Sequence, residues 1–271
     1  MKTLSDHTII YDEECPLCQA YTGAFVKLGM LDSEGREPYH KMVGEGLTHI
    51  NWVRARNEIA LINKKDHSIT YGNDSLLRII GFSMPWVQKI FRFRPFRFLL
   101  DQLYFFISFN RKVIAPGKVF EGQGRCTPDF NYPYRWAYIV LAWILTSLVL
   151  VAYVSLLNPL ILKATFTREF LVCAGQIGFQ GIIVAIVNRK KIIHYLGNMM
   201  TVSLLGAILL TPALFLSRLT ENKFFFMGYF LSVVGVMLVE HMRRIKILGL
   251  PRFISTTWVI YNLIAILFQI H

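Results

Sequence analysis

The feature that most constrains this chain is the point at which its carboxylates stop. Fourteen acidic residues fall in positions 1–134. Residues 135–271 carry only Glu169, Glu221 and Glu240, against 12 Lys and Arg. A half-chain with so few acidic groups and long apolar runs has too little polar surface to face water all round, so it reads as an all-α transmembrane domain over 135–271. Five apolar segments lie at about 136–157, 170–188, 194–216, 224–242 and 253–270. Each is close to the ~20 residues that cross the hydrocarbon core of a bilayer.

The basic residues sit at the ends of these runs. Arg135 precedes the first. Arg189, Lys190 and Lys191 separate the second from the third, and Arg243, Arg244, Lys246 and Arg252 gather between the fourth and fifth. The other two loops carry only Lys163 and Arg168, and Arg218 and Lys223. The positive-inside bias then places residues 1–134 in the cytoplasm and His271 outside. Asp6, Asp12, Glu13 and Glu14 break up the first 20 residues, so no signal-peptide core is expected there. The expected location is a bacterial inner membrane. The net charge of +12 is explained by headgroup-facing lysines and arginines and excludes nothing about the fold. It does not call for nucleic acid; the lipid bilayer is the partner it implies.

Residues 1–115 read as a small α/β domain. His7–Tyr11 is a β-branched run and predicts a strand, Asp12-Glu13-Glu14 a loop, and Cys15 onward a helix with Pro16 at its first position, ending near Gly29. Residues 32–57 show no clear period. Glu58–Asn63 and Ser68–Tyr71 predict a hairpin, and Ser75–Ile80 begins another helix. Residues 86–112 interleave Lys89, Arg92, Arg94, Arg97, Arg111 and Lys112 with seven Phe, Trp86 and Tyr104. That pattern suits a segment lying in the membrane interface, or an amphipathic helix packed on the sheet. Residues 116–134, with Gly117, Gly122, Gly124, Pro128 and Pro133, read as a linker.

The chemistry-bearing motif is Cys15-Pro16-Leu17-Cys18. A strand and loop deliver Cys15 to a helix N-terminus, where unpaired N–H groups and the positive end of the helix dipole stabilise a thiolate. Cys15 is the candidate attacking sulfur and Cys18, one turn on, the candidate resolving sulfur. The same spacing can supply half of a zinc site. Cys126, His40, His49 and His67 are then the other available ligands, although none forms a second close pair, so no metal is expected. Asp12 has two readings: a proton acceptor that orients the thiols, or a cap on backbone N–H groups at the loop.

Tyr11-Asp12-x-x-Cys15-Pro16-Leu17-Cys18 resembles the opening signature of the DCC family of thiol–disulfide oxidoreductases, named for its Asp-Cys-Cys residues. Tyr71-Gly72-Asn73-Asp74-Ser75 and the stretch from Tyr104 to Asn110-Arg111 resemble two further segments of that family. The resemblance covers about residues 7–112. It implies a thioredoxin-like fold and dithiol chemistry, with Asp12 as the third signature residue. Thioredoxins carry a cis-proline before the hairpin that docks peptides; here Arg54-Ala55-Arg56-Asn57 stands there with no proline. A narrower partner or a small molecule fits that departure better.

Polar residues within the apolar segments are candidates for a second site. Cys173, Gln176 and Gln180 share a helical face, and Asn262 lies mid-segment. His194, Asn198, Glu240 and His241 fall at one, cytoplasmic, end of their spans. They are candidate cofactor-binding residues for a quinone or a single haem; the alternative is interfacial solvation or hydrogen bonding between helices. The dithiol itself requires no cofactor. The functional expectation is a membrane-anchored thiol–disulfide oxidoreductase acting on a membrane partner, a redox-partner thiol or a quinone-like molecule. The competing expectations are a non-catalytic subunit of a larger membrane complex, whose thioredoxin-like domain serves as a docking module, and a membrane enzyme centred on His194, Glu240 and His241.

Overall fold

Strand β1 (His7–Tyr11) is buried on both faces, and the first domain is organised around it. In the computed structural model, which describes residues 2–44, 49–91, 93–117, 126–158 and 160–270, the chain divides into a unit ending at Tyr134 and a unit beginning at Arg135. In the first unit β1 leads into α1 (Pro16–Lys27), β2 (Arg36–Pro38), α2 (Tyr39–Gly44), α3 (Trp52–Asn57), the hairpin β3 (Ala60–Asn63) and β4 (Ile69–Tyr71), and then α4 (Asn73–Ser83), α5 (Pro85–Phe91) and α6 (Arg94–Ile114). The sheet order is β2-β1-β3-β4. β1 runs parallel to β2, with Ile9 opposite Arg36, and antiparallel to β3, with Ile9 opposite Leu61.

Alternation along the strands sorts the core into two layers. Ile9 and Leu61 pack with Leu31 and Ile79 on one face, while Ile10, Ala60 and Ile62 pack with Tyr39 and Ala55 on the other. Helix α1 stops where predicted. Gly29 takes φ 68°. Its N–H donates to Val26 and that of Met30 to Phe25, the paired bonds that close a helix on a left-handed glycine. The unassigned stretch 32–57 holds β2, α2 and α3, elements of three to six residues.

The basic-aromatic segment is buried in part. The C-terminal half of α6 buries Ser108, Asn110, Arg111 and Val113, whereas Trp86, Phe93, Phe98, Leu99 and Leu103 remain exposed. Arg92, and Gly122 and Gly124 of the expected linker, lie outside the described residues, as does His271.

The second unit is helical throughout its described secondary structure: α7 (Tyr132–Ser155, which begins just before the boundary), α8 (Phe166–Asn188), a 3-10 turn (Arg189–Lys191), α9 (Ile192–Leu216), α10 (Lys223–Ile247) and α11 (Phe253–Ile270). Three helical stretches are long and apolar enough to cross a membrane: 132–155, the combined 166–216 and 223–247. The shorter apolar helix 253–268 follows them. Tyr195, Leu196, Met199 and Met200 bury α9 among its neighbours. Gly206 lies where a side chain would strike Met237, so its lack of one lets α9 and α10 approach closely.

Candidate functional site

The β1–α1 junction brings the two cysteines together as reduced thiols. Cys15 is the N-cap of α1, and its Sγ accepts the Cys18 N–H at 3.5 Å. Pro16 occupies the first helical turn, where its missing N–H removes no bond. The Cys18 thiol donates to the Cys15 sulfur. This contact, with the Cys18 N–H and the nearby Arg111 guanidinium, outweighs burial and the Asp12 carboxylate and lowers the Cys15 pKa to about 6. The same hydrogen bond, together with burial, holds the Cys18 proton and pushes its pKa far upward. The pair is therefore polarised, with Cys15 the acidic thiol and Cys18 the donor.

Asp12, 3% exposed, performs the capping role that the sequence suggested: its Oδ1 accepts the Glu14 N–H at 3.0 Å. It also has partners that the local sequence does not reveal. Lys112 Nζ lies 2.9 Å from Oδ2 and reaches Glu14 at 3.3 Å, and Arg111 Nε is 3.6 Å from Oδ2. Arg111 further donates to the Arg56 carbonyl at 2.8 Å and the Cys126 carbonyl at 3.1 Å. A guanidinium does not deprotonate in a protein, so this buried cation holds its charge beside the thiols.

The two later motif segments converge on Ile59, at the start of β3. Gly72 N–H donates to the Ile59 carbonyl at 2.8 Å, and the Ser75 hydroxyl reaches the same oxygen at 3.4 Å. The Ile59 N–H donates to the Tyr104 hydroxyl at 2.8 Å. Gly72 has φ 64°, a backbone conformation that favours glycine. Ile59 and Cys18 line one cavity of about 230 Å³.

Cys15 itself has 0% exposure. Residues 115–117 pack against its chain neighbours: Pro116 is buried, and Gly117 lies so close to Glu14 and Pro16 that a Cβ would run into the Glu14 carbonyl oxygen. Cys126 is buried against Arg56 and Arg111. Burial pushes its thiol up to about 12, which leaves it a poor nucleophile.

The second candidate site resolves into two structural networks. Asn198 and Glu240 meet through Arg244, which donates to Asn198 Oδ1 at 2.9 Å and to Glu240 at 2.8 Å; Arg243 also pairs with Glu240. His241 is buried, and Trp258 stacks on it. Its Nε2 lies 3.1 Å from the Tyr195 hydroxyl and its Nδ1 3.1 Å from Ser255 Oγ, so both ring nitrogens are engaged within the helices. Tyr195 passes its own proton to Gln180 at 2.8 Å. His194 is exposed. Haem ligation by His241 would require breaking that network. Among the described residues no group of three or more His, Cys, Asp or Glu is arranged to hold a metal ion.

No known protein family, curated protein or solved structure matches the chain.

Proposed function

We propose that the chain is a membrane-anchored thiol–disulfide oxidoreductase whose working groups are Cys15 and Cys18. The observation that carries this reading is the polarised pair: an acidic Cys15 sulfur at a helix N-cap, bonded by both the N–H and the thiol of Cys18. In the reaction Cys15 thiolate attacks one sulfur of a substrate disulfide, and the first substrate thiolate leaves. Cys18 then passes its proton to that thiolate and attacks Cys15, closing the Cys15–Cys18 disulfide and releasing the second substrate sulfur. A cellular dithiol restores the reduced state. Asp12 acts as a positioning residue that holds Arg111 and Lys112 beside the thiols.

The sheet order β2-β1-β3-β4, with the cysteines at the β1–α1 junction and a terminal β3–β4 hairpin, supports a thioredoxin-like fold and the resemblance to the DCC family. Helices α7 to α11 support five membrane crossings. The basic residues at one end of that unit support a cytoplasmic first domain. Lys191 Nζ donates to the carbonyls of Leu248 and Gly249, which joins the two most basic loops at that end.

The test is to trap the first intermediate. A Cys18→Ser variant is expected to accumulate a mixed disulfide on Cys15 that Cys15→Ser abolishes, and the wild-type pair is expected to equilibrate with glutathione buffers near the cytosolic poise. A potential far outside that range would make the pair structural. The burial of Cys15 favours a second reading, in which the domain docks a partner complex and the thiols do not turn over. A stoichiometric partner that co-purifies in mild detergent even with both cysteines replaced by serine distinguishes it.

A further inference from the structure

We infer that the cavity beside Cys18 binds a neutral, ring-sized quinone as the two-electron partner of the dithiol. This rests on the oxidoreductase reading and names a second electron acceptor for the same dithiol. Cys18 stands on the cavity wall and Cys15 does not, so a molecule in the cavity reaches the pair from the Cys18 side. The opposite walls come from Leu76 of α4 and from Tyr104 and Ile107 of α6, and they are mainly apolar.

Size and charge restrict the occupant. An apolar cavity of about 150 Å³ holds a benzene ring. The 230 Å³ here takes a ring with several substituents, and an extended peptide exceeds it. The charged side chains on the wall are already paired: Asp12 with Lys112 at 2.9 Å, Glu58 with Arg54 at 3.1 Å, and Arg111 with Asp12 and two backbone carbonyls. An ionic ligand would lose water here and meet no unpaired counter-charge. Glutathione, with its carboxylates and ammonium group, is disfavoured on both grounds.

The remaining polar groups suit a carbonyl. The Tyr104 hydroxyl uses a lone pair for the Ile59 N–H, which leaves its proton to donate into the cavity. The Tyr21 hydroxyl lies beside the Cys18 thiol on the same wall. In the redox step the Cys15 thiolate and the Cys18 thiol lose two electrons, the Cys18 S–H bond breaks and one S–S bond forms. The quinone takes the two electrons, the Cys18 proton and one proton from water, and its carbonyl oxygens become the hydroxyls of a hydroquinone. No further oxidant or reductant enters. Such a molecule partitions into a bilayer, which is where a chain with apolar helices of this length would meet it.

The probe is tetramethyl-1,4-benzoquinone, because a methyl at each of the four positions that would otherwise carry hydrogen prevents a stable thioether. The full chain is reduced in detergent, mixed with the quinone and quenched with an alkylating agent, and Cys15–Cys18 disulfide is followed by mass. The expected rate saturates with quinone concentration. Leu76→Phe, which fills the cavity, is expected to slow oxidation roughly tenfold at low quinone. Tyr104→Phe, which removes the donor, is expected to raise the half-saturating concentration by about the same factor. Diamide is expected to oxidise all three proteins alike. A wild-type rate that stays linear in quinone overturns the inference even if a variant misfolds, as do two folded variants indistinguishable from wild type. Failure of diamide to form the disulfide in the wild type instead sinks the oxidoreductase reading itself.

Discussion

Cys15 shows how much of a cysteine's chemistry is set by its neighbours. Its sulfur is fully buried, which alone would raise its pKa. Hydrogen bonds from Cys18 and the charge of Arg111 reverse that and bring it to about 6. The sign of the consequence follows. Between about pH 6 and the ordinary thiol range near 9, the folded reduced chain holds fewer protons than the unfolded one. Reduced-state stability therefore rises with pH across that window and is lost as pH falls through 6. The reduction potential should show the same group. Below the Cys15 pKa two protons accompany two electrons and the potential falls by about 59 mV per pH unit; above it one proton does, and the slope halves to about 30 mV. A break near pH 6 is expected in the wild type. Arg111→Gln removes a stabilising charge and should move the break upward. An unbroken slope across pH 5–8 would show that Cys15 stays protonated there.

At the scale of elements, the site is made by segments that are distant in sequence. The start of α1 was legible because its signals are local: Cys15 at the cap, Pro16 in the first turn and Gly29 at the end each act within a few residues. Strand β1 was legible for the same reason. Asp12's partners were not, because Arg111 and Lys112 lie about a hundred residues away on a helix whose pattern advertises an amphipathic face. Nor was β2, since three residues, Arg36–Pro38, are too few to show an alternation. The convergence of Gly72, Ser75 and Tyr104 on Ile59 is likewise a product of packing, invisible in any one motif. The packing of residues 115–117 against Glu14 and Pro16 is a further such product and can be tested directly. Gly117→Val places a side chain where the Glu14 carbonyl already lies, so residues 115–117 must lift away. Alkylation of Cys15 under native conditions is expected to speed up several-fold, with α1 and the sheet intact by circular dichroism. An unchanged rate would mean that the reagent reaches Cys15 by another route.

For the whole molecule, the path of the longest helical stretch decides how often the second half can cross a bilayer. Composition and length support three helical stretches, of which the middle one runs 51 residues through a 3-10 turn. A straight helix of that length would span about two and a half times the thickness of a bilayer's hydrocarbon core. Arg189, Lys190 and Lys191 at the turn would be costly in lipid. The chain avoids both problems by folding back. α8 and α9 share a core through Val184 and Leu196 and a hydrogen bond from Tyr195 to Gln180. Lys191 meets the end of α10 at Leu248 and Gly249, so the turn and the following basic loop lie at one end. This reversal predicts opposite sides for Lys190 and Thr220, which flank α9. In a chain whose Cys126 and Cys173 are replaced by serine, Thr220→Cys should react with a membrane-impermeant maleimide in intact cells. Lys190→Cys should react only after the membrane is opened. Labelling of both from the same side would remove α9 as a crossing. Labelling of Lys190→Cys alone from outside would keep the five crossings and invert the chain, which would put the Cys15–Cys18 pair on the oxidising side of the membrane.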